Sequence, residues 1–450
     1  MARYTRGAWS TRRRAGSRAA SATCLLALVL FSLSGNVVAQ RDPSALPSRV
    51  VVAGIAVEAS VESAQQHVLV VAGVNGQKAV LVVIDRRTNK QIAQTLLDDE
   101  SATGTDLSGG AGIDILVLDP THHRVYVSAL NLANGLAHDV WGIDLYTGKV
   151  MVNLGAADSI AIDQRTGTVY AAQTNYGLHR YDTQRVLAAY SPSGKVVWQH
   201  AQSGRATVYC VDEDEKDKIL LTAVAVDGTT PPTGNFVAVD TRTGNVRWHR
   251  HLAYVPAHML CAPTSSRTII LPGNDAPITD VALLDARTNT FAPRLRPNDD
   301  HYYDTVVADW IAGTAIGVWH TRYSGEGLDI MNFRRGTHSL LLPLTDRLGG
   351  PGGGSGPAAD VVGEDPARHL LYVALKTQAS GASVLVATVD MVRGKIVATV
   401  TIPNINDERA VLASDGRLAD VTKQTSVTDP NTGDTTTINA VVVVPLRHTQ

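Results

Sequence analysis

Apolar and polar positions along this chain alternate in short runs, and the runs are bounded by the same few turn residues. Val237-Ala238-Val239-Asp240-Thr241-Arg242-Thr243-Gly244-Asn245-Val246-Arg247-Trp248 shows the pattern at its fullest: an apolar strand, Asp, a short turn ending in Gly, and a second strand. Ile84–Lys90, Ile143–Val150, Leu284–Asn289 and Val389–Ile396 repeat it, and Tyr190–Trp198 is a shifted copy. Self-similarity at a period of about 45 residues predicts a repeat architecture. The letters suit a tight hairpin, since Asp accepts hydrogen bonds from turn N–H groups and Gly takes the positive φ that closes the turn. Asn89 and Asn289 replace Gly in two copies. Asn is the side chain that best tolerates the left-handed region, so the requirement is one of backbone and not of chemistry.

A second hairpin signal lies about 25 residues before the first in several units. Leu118-Asp119-Pro120-Thr121-His122-His123-Arg124-Val125-Tyr126-Val127 is matched by Glu364–Val373 and, in shorter form, by Ile162–Tyr170. Asp-Pro starts a turn, and the β-branched and Tyr residues that follow suit a half-buried strand. Two hairpins per unit make four antiparallel strands. Radial repetition of such units predicts an all-β fold, a single β-propeller of seven or eight four-stranded antiparallel blades. The units fall near 49–97, 113–154, 158–200, 207–251, 258–295, 303–344, 361–402 and 409–446, after a lead-in at 40–48. The strand beginning at Val50 either opens the first unit or pairs into the last blade and closes the ring.

These motifs resemble two known repeats. The Asp-Pro…Val-Tyr-Val and Val-Asp-x-x-Thr-Gly-Lys-Val pairing is similar to the YVTN-type propeller repeat. Val237–Trp248 and Pro192–Trp198 resemble the repeat of pyrroloquinoline-quinone (PQQ) dehydrogenase-like propellers, in which a Thr-Gly…Trp ending docks one blade on the next. The resemblance spans nearly all of the chain after residue 40 and implies a fold. Propellers of this kind include quinone dehydrogenases, amine dehydrogenase heavy chains, lactonases and plain binding scaffolds. A vicinal Cys-Cys pair is missing and only two units keep the Trp, so bound PQQ is not expected.

Composition changes the picture at the N-terminus. Residues 1–39 carry six Arg and no acid, then the apolar run Ala22–Leu33, then Val37-Val38-Ala39 before Gln40. This is the pattern of a cleaved secretory signal peptide, with an apolar run short for a bilayer span. The expected location is periplasmic or secreted, with no membrane attachment after cleavage. Loss of that segment moves the formal net charge from −2 to about −8. No basic cluster with interleaved aromatics follows it, so nucleic acid is not an expected partner. Cys210 and Cys261 are the two cysteines left, at matching places in successive units. They form either a disulfide between neighbouring innermost strands or two buried thiols.

In a propeller, residues just before each innermost strand ring one mouth of the central channel. Here these are Asp158, Arg205, His258, His301 with Asp304, Asp360, and Glu408 with Arg409. Mixed carboxylates and imidazoles suit a polar ligand, and a divalent metal is the one cofactor they would hold. Asn298–Asp304 is the densest polar and aromatic stretch and the leading segment for ligand contact. His249 and His251 alternate on an outer strand without a visible third ligand. No Gly-x-Ser-x-Gly or His-Glu-x-x-His motif is present. The expected function is an exported, non-catalytic scaffold for a small molecule or a protein at the channel face. The alternative is an extracytoplasmic enzyme with a channel-mouth site, either a metal-dependent lactonase-like hydrolase or a quinoprotein or amine dehydrogenase-like subunit.

Overall fold

The computed structural model describes residues 49–445 apart from 54, 64, 76–77, 98–110, 132–135, 138, 177–182, 213–218, 226–233, 253–255, 263–266, 273–280, 292–300, 322–325, 344–358, 366, 377–382, 404–409, 413–416 and 429–434. The signal-like segment lies outside them. Among the described residues the chain folds into eight antiparallel sheets, seven of four strands and one with a short fifth strand. Their first strands are, in blade order, Ala56–Ser63, Ala111–Asp119, Ser159–Asp163, Ala206–Asp212, Pro256–Cys261, His301–Asp309, Ala359–Asp365 and Ala410–Leu412. Each first strand neighbours the next, and the eighth neighbours the first, so these strands line a closed ring. This is a β-propeller. Arg49–Ala53 pairs antiparallel with Thr435–Pro445 and forms the outer edge of blade 8 instead of opening blade 1.

The core lies between blades. In Val68–Asn75, Val68, Val70 and Ala72 face blade 2, whereas Leu69 and Val71 pack on the opposite face, where Val411 of blade 8 joins them. A strand buried on both faces needs no polar alternation, which is why this stretch reads as continuously apolar.

The recurrent hairpin letters do what their chemistry demands. Asp144 Oδ1 accepts from the amides of Tyr146 (3.1 Å) and Thr147 (2.8 Å). Asp240 does the same for Arg242 and Thr243, both at 3.0 Å, and Asp285 and Asp390 repeat the arrangement. Gly148, Gly244 and Gly394 take φ of 66°, 75° and 63°, and Asn89 and Asn289 take 51° and 53°. The first hairpins hold a residue of the same kind: Gly167 and Gly313, but His67, His123 and His369 in three blades. The carbonyls of His123 and His369 accept from Leu145 and Met391, the residues that follow the turn Asp of the second hairpin, so the two turns of a blade are tied together.

Neighbouring blades are joined at these same turns. Trp198 Nε1 donates to the carbonyl of Thr241 at 2.8 Å, and Trp248 Nε1 to that of Ala286 at 2.9 Å. In blade 1, Thr95 takes the corresponding role, its hydroxyl donating to Gly148 O at 2.6 Å. His369 reaches from blade 7 to hydrogen-bond through Nδ1 to the Asp309 carboxylate of blade 6.

Candidate functional site at the channel mouth

All eight first strands start at one end of the ring, so their opening residues share one mouth. Six of them contain a register shift against the second strand near that mouth, at Val57/Ala59, Ile113/Ile115, Val208/Cys210, Pro256/His258, Tyr303/Thr305 and Val361/Gly363. A bulge turns a strand and re-aims its side chains, and bulges gather at rims and sites. The residues skipped in three of these shifts are acids: Glu58, Asp114 and Asp304.

The strand ends reveal a spacing. Asp114, Asp158, Asp304 and Asp360 each lie five residues before the Asp that ends the strand and starts the first turn, namely Asp119, Asp163, Asp309 and Asp365. Glu58 stands at the same distance before Ser63, whose hydroxyl caps the corresponding turn by accepting from the Gln66 amide. Five of the eight blades therefore carry a carboxylate five residues before the first turn, three of them (Glu58, Asp114 and Asp304) at the bulge itself. Asp158 was already a mouth candidate on sequence grounds, as were Asp304 and Asp360. Glu58 and Asp114 were not, although the Asp-x4-Asp spacing would have found Asp114.

Two of these carboxylates and an arginine come together across three blades. Arg205, at the start of blade 4, lies 3.5 Å from Asp158 of blade 3; its side chain is 63 % exposed and that of Asp158 11 %. Asp114 of blade 2 sits close enough to sense both. Although Asp114 is exposed as a residue, partial burial of its carboxyl raises its pKa, the Asp158 carboxylate raises it further, and Arg205 opposes them. An exposed arginine offsets such a pair only in part.

Glu58 has a different task. Its Oε2 accepts from the backbone amide of Ile113 at 2.7 Å, stitching blade 1 to blade 2 just before the Asp114 bulge. Ser159 repeats this between blades 3 and 4, accepting from Val208 N at 2.8 Å. These bonds hold the mouth strands in register and so fix the positions of Asp114 and Arg205.

The other mouth candidates divide by what is described. His258, His301, Asp304 and Asp360 lie on the opening segments of their innermost strands, and their side chains are outside the described residues. Glu408 and Arg409 lie outside them altogether, as do residues 298–300. Tyr303 turns away from the mouth: it is 3 % exposed, lies over Gly317, and donates to the buried Asp329 carboxylate at 2.8 Å. Burial pushes its hydroxyl far above the usual phenol range, and Asp329 adds to the shift. Within the Asn298–Asp304 stretch this aromatic thus serves the seam between blades 5 and 6. His249 and His251 are exposed. Among the described residues no three His, Cys, Asp or Glu side chains are grouped so as to hold a metal ion, and no helix is long and apolar enough to cross a membrane.

A disulfide joins Cys210 to Cys261, with Cα atoms 6.0 Å apart, and so links the innermost strands of blades 4 and 5.

No family model matches the chain, and no curated protein does. Solved structures do. One is dihydro-heme d1 dehydrogenase NirN in complex with DHE, at 13 % identity and TM-score 0.45, covering 64 % of this chain and 56 % of that one. Another comes from a study of two prolyl endopeptidases, at 12 % identity and TM-score 0.49, covering 86 % and 52 %. A third is the β-propeller domain of the Trilobed protease from Pyrococcus furiosus, at 9 % identity and TM-score 0.44, covering 74 % and 94 %. The chain spans about half the length of the first two. The residues of the mouth, and not these likenesses, carry the functional argument.

Proposed function

We propose that the protein is an exported, non-catalytic propeller scaffold that binds a small ligand through a cationic group at the channel mouth. The observation that supports this reading is the carboxylate that recurs five residues before the first turn in five blades. Partial burial raises the Asp114 pKa, the nearby Asp158 carboxylate raises it further, and one exposed Arg205 opposes them. A bound ammonium or guanidinium group would relieve that repulsion, since an opposite charge within about 4–6 Å favours the ionised carboxyl. Arg205 supplies a donor for a polar or anionic part of the same ligand.

The raised Asp114 carboxyl also favours a second reading, an extracytoplasmic hydrolase with one metal, because acid–base chemistry uses a carboxyl that holds its proton to a higher pH than an ordinary one. Two measurements on purified protein separate the two. The scaffold reading expects thermal stabilisation by organic cations and none by matched anions, since a ligand that binds only the folded state raises its stability. A stoichiometric divalent ion, lost in Asp158→Asn and Asp360→Asn, would replace it with the hydrolase.

A further inference from the structure

Each first strand runs from the mouth to its first turn, and each third strand repeats that direction, so both hairpin turns of a blade lie at the end away from the mouth. The first turns are polar by sequence, as in Pro120-Thr121-His122-His123 of blade 2 and Gln164-Arg165-Thr166-Gly167 of blade 3. Blade 6 departs from this with Trp310-Ile311-Ala312-Gly313. At the second turn, the residue two places after the one that starts it is Arg87, Arg242, Arg287 or Arg334 in blades 1, 4, 5 and 6, but Val392 in blade 7. Ile311 is 71 % exposed and Val392 58 %, the highest values for large apolar side chains among the described residues. Their two turns touch, since the Thr314 hydroxyl donates to the Met391 carbonyl at 2.9 Å. Trp310 and Phe333, each half-buried, stack in the same place with ring centres 6.2 Å apart. Turn closure calls for Asp and Gly and asks for no apolar side chain at a tip. Cations surround these tips. Arg334 donates to the Ile311 carbonyl at 2.6 Å, and Arg335, Arg368, Arg393 and Lys395 are exposed beside it on the turns of blades 6 and 7. The acids of these turns are drawn back: the side chains of Asp365 and Asp390 are 25 % and 17 % exposed, against 69 % and 75 % for their partners Arg368 and Arg393. Asp309 is bonded to His369, and Glu364 lies close to Asp309.

We propose that the turn end of blades 6 and 7 docks on an anionic lipid surface, with Ile311 and Val392 entering the headgroup layer and the surrounding arginines meeting lipid phosphates. The apolar groups stand on turn tips and not in a groove, so the partner must yield around them. A headgroup layer does so, whereas a folded protein would need a matching pocket for each tip. Exposed apolar patches rimmed by polar groups mark membrane or protein contacts, and basic side chains near an anionic membrane add attraction that fades within a Debye length. The chain as a whole is net negative, so only a local patch can supply that attraction. Docking there orients the propeller with its mouth away from the lipid and open to a soluble ligand. It is a reversible surface contact, and it departs from the expectation of no membrane attachment drawn from the N-terminal segment.

The test is co-sedimentation of the full chain with vesicles of phosphatidylcholine alone and of phosphatidylcholine with phosphatidylglycerol, at one low ionic strength. The N-terminal segment is common to every variant, so differences between variants report the turn end. Partition onto the anionic vesicles is expected to exceed that onto the neutral ones about tenfold or more, and to fall about tenfold in Arg334→Gln/Arg335→Gln. Ile311→Asn/Val392→Asn is expected to fall by a similar factor. Val197→Asn, an equally exposed apolar position on the outer strand of blade 3, should leave partition unchanged. Equal partition onto the two kinds of vesicle overturns the proposal, as does anionic binding indifferent to both double variants. Binding of poly-glutamate with no binding to the anionic vesicles also overturns it, and gives the face to an acidic protein. No arm uses a mouth ligand, so failure of cation binding at the mouth leaves this result standing and removes only the functional reading.

Discussion

Gly244 and Gly336 occupy the same αL position in the second hairpins of blades 4 and 6, with φ of 75° and 64°. Their surroundings differ. A Cβ on Gly244 would lie 2.4 Å from His200 Nε2 and 2.7 Å from Trp198 Cδ2, whereas one on Gly336 would meet nothing within 4 Å. Gly336→Ala therefore isolates the cost of a left-handed Ala, about 1–2 kcal/mol. Gly244→Ala adds interblade overpacking, about 1–3 kcal/mol more, for a total of about 2–5 kcal/mol. Gly336→Asn is expected to cost less than Gly336→Ala, since Asn89 and Asn289 hold this conformation in blades 1 and 5. Urea unfolding followed by tryptophan fluorescence reads all three. Equal losses for the two Ala variants would refute the claim that the blade 4 turn is a docking surface for blade 3. A Gly336→Asn loss as large as that of Gly336→Ala would refute the backbone account of the motif.

Three further outcomes follow from the same geometry. Trp198→Phe and Trp248→Phe each remove an interblade hydrogen bond to a partly or fully buried carbonyl, and each is expected to lower stability by about 1–3 kcal/mol in the same assay. For Asp144 and Asp240, burial raises the carboxyl pKa, but bonds from Thr147 and Tyr146, and from Arg247, Thr243 and Arg242, outweigh it and leave the net value lowered. A lowered native pKa contributes stability above the unfolded value, so that contribution should fade as the pH falls below about 4, and Asp240→Asn should flatten the acid limb of the unfolding midpoint against pH.

The propeller was legible because its repeated letters serve backbone needs that are local. Asp144 and Gly148 satisfy one turn, and their demands show in eight consecutive residues. The mouth was legible only in part. Asp158 and Arg205 precede their strands and stood out, whereas Asp114 sits within Ile113-Asp114-Ile115 and reads as the polar position of an alternating strand. Its role depends on a bulge that no single strand announces, and on neighbours 44 and 91 residues away. Glu58 was hidden for the same reason, since its partner is an amide of the next blade. The three αL histidines are a different case: His67, His123 and His369 fill a place where Gly or Asn is the usual occupant, so nothing in their letters announced a task of turn closure.

The mouth can be tested most directly by isothermal titration of the oxidised full chain with spermidine and with arginine methyl ester, at fixed ionic strength, beside Asp114→Asn/Asp158→Asn. The account predicts saturable binding that weakens about tenfold or more in the double variant and fades, in the native protein, as Asp114 takes up its proton at a higher pH than an ordinary aspartate. Binding of citrate in place of the cations, or cation binding indifferent to both substitutions, would contradict it.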